Sequence, residues 1–281
     1  MLKRLLFWGK QVASKIIFLG TAGESLVYGN QIRSSGGIVL HMDGLQFIID
    51  PGPGCLTRCA DYGINVRDTT AVFVTHNHIN HANDVNALIS AITYNGLDKR
   101  GVLVSNKTAY NGTDKYRPII SEHSKRLVEK SIILEEGQKI GIGNVEVVGL
   151  KTKHGDEECV GLRFFCSGFN LVYTSDTKYF RNLGEDYSGC DIMIANCVYP
   201  FNIKGPMLSS EEIIKLMNKI KPKLTILTHF GIKMLKADPL YEAREIKKAT
   251  GIQTIAAKDG MIVNPLSYST SSRQRTLNMF K

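Results

Sequence analysis

The segment that most restricts how this chain can fold is Thr75-His76-Asn77-His78-Ile79-Asn80-His81, which places three imidazoles within six positions. It follows the continuous apolar run Ala71-Val72-Phe73-Val74, read as a strand, and leads into a helical pattern carried by Val85, Leu88, Ile89 and Ile92, read as a helix over 81–94. On an extended or turning backbone, alternation sends His76 and His78 to one side, and the turn into the helix brings His81 back toward them. Imidazoles grouped this way suit one divalent cation or two: zinc, or manganese or iron with added oxygen ligands. The competing explanation is a surface cluster at a helix start, and three histidines at this spacing weigh against it.

The flanking sequence supplies a sheet for that strand. Apolar runs at 16–19, 38–40 and 45–49, separated by Gly20, Gly36-Gly37 and Asp43-Gly44, predict a β-meander, and 55–62 reads as a short helix. The middle, 95–130, mixes a strand at 102–104, a Gly/Asn/Asp-rich loop and a charged helix from Ser121, and is a candidate cover for the site. Runs at 145–148, 161–165 and 170–173 predict a second meander. The final third alternates strand (192–194), helix (209–219), strand (224–227), helix (240–250) and strand (254–256). Each half thus runs from strands to helices. An α/β architecture of two face-to-face sheets with helices outside, a four-layer αβ/βα sandwich, fits that order as one domain over 15–266.

A length of 281 residues with 43% hydrophobic content suffices for such a core. Residues 1–14 form a basic, amphipathic extension with Trp8, expected to fold back on the domain, and 267–281 a mobile basic tail. No apolar run approaches the roughly 20 residues of a membrane span, and a cytoplasmic protein is expected. The six cysteines lack the paired spacing of a zinc ribbon or disulfide scaffold and read as reduced, buried thiols, Cys55 and Cys59 sharing a helix face. A net charge of +9 favours an anionic small molecule or nucleic acid as substrate, although solvated lysines would produce it equally well. Homodimerisation is left open.

The histidine segment resembles the HxHxDH signature of the metallo-β-lactamase superfamily, and the downstream motifs of that family have counterparts in order. Lys153-His154-Gly155 resembles its next histidine ligand, Thr174-Ser175-Asp176-Thr177 its bridging aspartate, and Leu227-Thr228-His229-Phe230 its last histidine. Ile49-Asp50-Pro51-Gly52 resembles the Asp-x-Gly element whose carboxylate orients the ligands from behind. Five of the seven histidines fall in these motifs, leaving only His41 and His123 outside.

The resemblance implies a metallo-β-lactamase fold and a metal-dependent hydrolase, phosphodiesterase-like or acting on another anionic ester, in which metal-bound hydroxide attacks the substrate. It implies one site of His76, His78 and His154 and a second of His81, His229 and the Asn80 position, bridged by Asp176, with Asn80, Asp176 and His229 closest to catalysis. Asn80 departs from the family's aspartate: a neutral amide offers an oxygen ligand but neither charge nor base, so the second site should be weak. A one-metal enzyme, a two-metal enzyme with a weakened second site, a substitution introduced to silence catalysis, and a non-catalytic metal- or nucleic-acid-binding homologue all follow from it. A carbonyl ester, lactone or lactam hydrolase stays open too. The transfer-RNA 3′-processing branch is near in size, yet its His-Glu-Ala-Thr element has no match where Ala195-Asn196-Cys197-Val198 stands. The Arg33-Ser34-Ser35-Gly36-Gly37 and Asp50-Pro51-Gly52-Pro53-Gly54 runs resemble an uncharacterised prokaryotic branch. The serines and glycines of the first run suit a tight strand entry better than a phosphate cradle, and Lys178, Tyr179 and Lys233 are candidate contacts for a substrate anion.

Overall fold

The computed structural model describes residues 13–269; the expectations for 1–12 and 270–281 lie outside them. Strands β1 (Lys15–Phe18), β2 (Ile38–Met42) and β3 (Leu45–Ile49) form an antiparallel meander. Helices α1 (Ser25–Gly29) and α2 (Cys55–Asp61) lie between and after them. Strand β4 (Thr69–Val74) joins β3 in parallel and delivers the chain into α3 (Ile79–Ala82) and α4 (Val85–Thr93). Strand β5 (Val102–Ser105), helices α5 (Lys107–Asn111) and α6 (Glu122–Leu127), and strand β6 (Lys130–Ile133) complete the first half, with β4, β5 and β6 parallel.

The second half repeats the scheme. Strands β7 (Lys139–Ile142), β8 (Val145–Lys151), β9 (Val160–Phe165) and β10 (Asn170–Tyr173) form an antiparallel meander, and β11 (Ile192–Asn196), β12 (Leu224–Thr228) and β13 (Gln253–Ala256) extend it in parallel. Helix α7 (Ser210–Ile220) returns the chain from β11 to β12, and α8 (Ile232–Ala237) and α9 (Pro239–Thr250) return it from β12 to β13. A short β14 (Ile262–Val263) closes the first sheet against β1. Each sheet has seven strands, in the orders β14-β1-β2-β3-β4-β5-β6 and β13-β12-β11-β10-β9-β8-β7.

Alternation along the strands builds the layers. On β3 and β4, Phe47, Ile49, Ala71 and Phe73 face the second sheet, while Ile48, Val72 and Val74 face the helices and meet Val85, Leu88, Ile89 and Ile92. Between the sheets, Phe73 packs edge-on against Phe47 and Phe164, with ring centroids 5.6 and 5.4 Å apart. On the far side, α7 buries Ile213, Leu216, Met217 and Ile220 at helical spacing and opens with a capping box from Ser209 and Glu212. The result is the αβ/βα sandwich.

Three expectations change. The single helix expected over 81–94 is broken at Asn83-Asp84, because Asp84 N donates to Pro51 O and the Asp84 carboxylate accepts from Gly54 N, tethering the break to the loop after β3. The 95–130 segment packs as β5, α5 and α6 on the first sheet and supplies none of the residues that line the main cavity described below, reaching it only where Lys115 pairs with Glu157 at 3.8 Å. Residues 265–268 form a 3-10 turn, which carries regular structure past the boundary set at 266. All six cysteines are free, and Cys55 and Cys59 are buried beneath α2. Among the described residues, no helix is long and apolar enough to cross a membrane.

Candidate metal centre

The candidate ligands are delivered at the C-terminal ends of strands in both sheets. The first sheet brings His76, His78 and His81 in the turn after β4; the second brings His154 after β8, Asp176 after β10 and His229 directly after β12. Left-handed backbone at Ser175 and His229 (φ 52° and 62°) bends the chain at two of these ends, and at Asp50 (φ 51°) it bends the chain at the neighbouring end of β3. Such conformations cost a side-chain-bearing residue about 1–3 kcal/mol, and their concentration here ties the strain to the site. Gly52 is required nearby, since a Cβ would lie 2.1 Å from the carbonyl oxygens of both Asn80 and Ser35.

Two groups result, one of His76, His78, His154 and Asp176 and one of His81, His229 and Asp176, with the ligand atoms of each within 4.8 Å of one another. Asp176 Oδ2 lies 3.8 Å from His76 Nε2, 3.4 Å from His81 Nε2 and 3.8 Å from His154 Nε2, and Oδ1 lies 3.2 Å from His229 Nε2. His154 Nε2 and His78 Nδ1 are 3.0 Å apart. Asn80 Nδ2 stands 3.4 Å from His229 Nε2, beside the second group. His41 and His123 are elsewhere, on β2 and α6.

Behind the ligands, Asp50 accepts from Thr75 N and Thr75 Oγ1 (both 2.8 Å), from Tyr173 OH (2.9 Å) and from His81 Nδ1 (2.9 Å). This fixes the His81 tautomer with Nε2 turned to Asp176. Asn196, the last residue of β11, donates from Nδ2 to Asp176 Oδ1 at 2.7 Å, leaving Oδ2 for the centre of the cluster. Asp156, two residues past His154, accepts from Asn77 N (3.0 Å), Asn106 Nδ2 (2.9 Å), Thr108 Oγ1 (2.7 Å) and Glu158 N (3.1 Å), joining the loops after β4, β5 and β8. Asn196, Asp156 and Tyr173 are not singled out by the sequence; only the place of Asp156 just after a candidate ligand, and of Asn196 at a strand end, would have flagged them.

Burial pushes His76 far below the ordinary imidazole range, with repulsion from His81 adding to it, and pushes His154 down to about 4. Burial would raise Asp176, but His229 and His81 hold its carboxyl well below the usual carboxylate range. For His81, burial opposes charge, yet Asp176 and then Asp50 outweigh it and hold the pKa up to about 10. Two carboxylates, Asp50 and Asp176, thus face each other across the His81 ring, an arrangement that favours positive charge within the cluster. His76 Nε2 and His81 Nε2 are buried without a hydrogen-bond partner among the described residues, as donors meant for an ion would be. The donor set fits one or two divalent ions.

His78, Asn80, His154 and Asp176 of the cluster line a cavity of about 690 Å³. Lys153, Lys178 and Thr152 line it as well, together with Val198, Tyr199, Pro206 and Met207. Lys233 lines a separate depression with Phe201. The Ser34 and Ser35 run serves the strand entry: Ser34 N donates to the Asp259 carboxylate at 2.7 Å.

Residues 46–230, which take in every candidate ligand, match the family described as the beta-lactamase superfamily domain. A Methanocaldococcus jannaschii protein, "Uncharacterized protein MJ1374", is 34% identical over 257 residues, 90% of this chain and 96% of that one. Ribonuclease Z of Methanopyrus kandleri is 28% identical over 142 residues, 49% of this chain and 46% of its own. The metallo-beta-lactamase fold protein YhfI from Bacillus subtilis superposes with a TM-score of 0.75 at 18% identity, covering 89% of this chain and 99% of that one. With the motifs, the paired sheets and these matches in agreement, the chain belongs to the metallo-β-lactamase superfamily.

Proposed function

We propose that the chain is a metal-dependent hydrolase that cleaves a phosphodiester or another anionic ester. The observation that carries this reading is a single carboxylate, Asp176, shared by two ligand groups at the floor of an open cavity. When bound there, a divalent ion supplies Lewis acidity, lowering the pKa of water and polarising the bond to be cleaved. Zinc suits the imidazole-rich set best, with manganese or iron as alternatives. His76, His78 and His154 would hold one ion, and His81, His229 and Asn80 a second, with Asp176 common to both. Asp50 and Asn196 keep His81 and Asp176 turned inward while substrate binds. Lys153 and Lys178 attract the anion at the rim, and the likeness to a protein named ribonuclease Z supports a phosphodiester over a neutral ester. Free thiols at all six cysteines suit a reducing compartment, the cytoplasm.

Asn80 favours a second reading, a metal- or nucleic-acid-binding homologue that has lost catalysis, because its amide brings no charge to the second group. Bis(p-nitrophenyl) phosphate turnover with zinc, manganese or iron separates the two. Metal-dependent turnover that falls at least about 100-fold in His78→Ala and is kept or raised in Asn80→Asp is expected of the enzyme. Metal bound without turnover in either wild type or Asn80→Asp would favour the binding homologue. Turnover of p-nitrophenyl carboxylates alone would move the substrate to a carbonyl ester.

A further inference from the structure

The cavity is divided by chemistry. Part of the lining is cationic: Lys153 directly precedes His154, Lys178 follows Asp176 by two residues, and a backbone bond from Lys178 N to Lys153 O (2.9 Å) holds the two loops side by side. The two acids that also line the cavity are engaged elsewhere: the Glu24 carboxylate accepts from Ile232 N at 3.0 Å, and Glu157 pairs with Lys115 at 3.8 Å. Neither Lys153 nor Lys178 forms an ion pair among the described residues; Lys153 Nζ lies over the Phe180 ring, 5.1 Å from its centroid, a contact that leaves its charge uncompensated by any carboxylate.

Another part of the lining is largely apolar. Val198, Tyr199, Pro206 and Met207 come from the loop joining β11 to α7, and both ends of that loop are closed by backbone bonds, Tyr199 N to Leu208 O (3.3 Å) and Ser210 N to Tyr199 O (3.1 Å). Gly205 lies against the Tyr199 ring so closely that a Cβ there would sit 2.1 Å from Cε2 and 2.4 Å from Cζ. Gly205 thus packs directly on the ring of a residue that also lines the cavity. An aromatic ring that lines the same cavity as the two lysines and the ligand cluster is complementary to a molecule that is anionic at one end and planar at the other.

Resting on the hydrolase reading above, we propose that Tyr199 is a specificity-determining residue, and that the substrate is an anionic ester bearing an aryl or heterocyclic group that packs on the Tyr199 ring while Lys153 and Lys178 hold the anion. Phenylphosphonate and methylphosphonate, which no hydrolase of esters can cleave, test this by calorimetric titration of the metal-loaded protein. Wild type should bind phenylphosphonate roughly tenfold tighter, the size of one stacking contact. That preference should vanish in Tyr199→Ala and in Gly205→Ala, which displaces the ring, and return in Tyr199→Phe. Lys178→Ala should weaken both ligands alike. Circular dichroism on each variant establishes that it is folded, and Tyr199→Phe, which keeps the ring, guards against misreading a damaged loop. A preference that survives Tyr199→Ala, or equal binding of the two phosphonates by wild type, overturns the proposal even if bis(p-nitrophenyl) phosphate is hydrolysed. Loss of turnover with the preference intact would instead overturn the hydrolase reading and leave the aromatic subsite standing.

Discussion

One oxygen of Asp50 receives Thr75 Oγ1, Tyr173 OH and His81 Nδ1, so this buried carboxylate is coupled to both sheets at once. Replacing it with an amide removes the negative charge and forces at least one donor to lose its acceptor. Asp50→Asn should weaken zinc retention roughly 10- to 100-fold, read by competition with a chromogenic chelator. Unchanged zinc affinity would show that His81 needs no orientation from behind. At this scale the sequence is legible where residue type names the chemistry: His76, His78, His81, His154, Asp176 and His229 announce themselves as ligands, and Asp50 by its place before Pro51-Gly52. Asn196 and Asp156 are silent, because an amide or a carboxylate acquires its role only from what folding sets 2.7 to 2.9 Å away.

Elements follow the same division. Strands β3, β4, β10 and β12 can be read from apolar runs, since burial on both faces leaves an unbroken hydrophobic signature. Strands β6 and β7 cannot: Lys130-Ser131-Ile132-Ile133 and Lys139-Ile140-Gly141-Ile142 sit at sheet edges, the first without alternation and the second alternating over only four residues. The break between α3 and α4 is likewise invisible, being imposed by tethers to Pro51 and Gly54 rather than by a local breaker. What joins the loops after β4, β5 and β8 is the Asp156 carboxylate with its four donors. Asp156→Asn should cost about 2 kcal/mol, because an amide oxygen replaces a charged acceptor and its NH2 group meets other donors. A urea midpoint equal to wild type would reduce that cluster to decoration.

Across the molecule, two sheets are held by one apolar seam in which Phe73 meets Phe47 and Phe164. Phe73→Ala should destabilise by about 3–5 kcal/mol, visible as a lowered urea midpoint, with the slope unchanged if the same surface is exposed on unfolding. The order of strands and helices makes this architecture readable from sequence, while the pairing of the halves emerges only through the seam. A cation at the candidate centre would add a second fastening, because its donors come from both sheets. The thermal midpoint of metal-stripped protein should therefore climb with added zinc in a concentration-dependent way, and His229→Ala should shrink that climb. This distribution of donors also orders events during synthesis. An emerging chain that has released only the turn after β4 offers an ion three imidazoles and no carboxylate of the set; the complete grip waits until His229 has left the ribosome and both halves have docked. If the centre takes a cation, a chain cut short before His229 should bind zinc more weakly than the whole, as chelator competition would read.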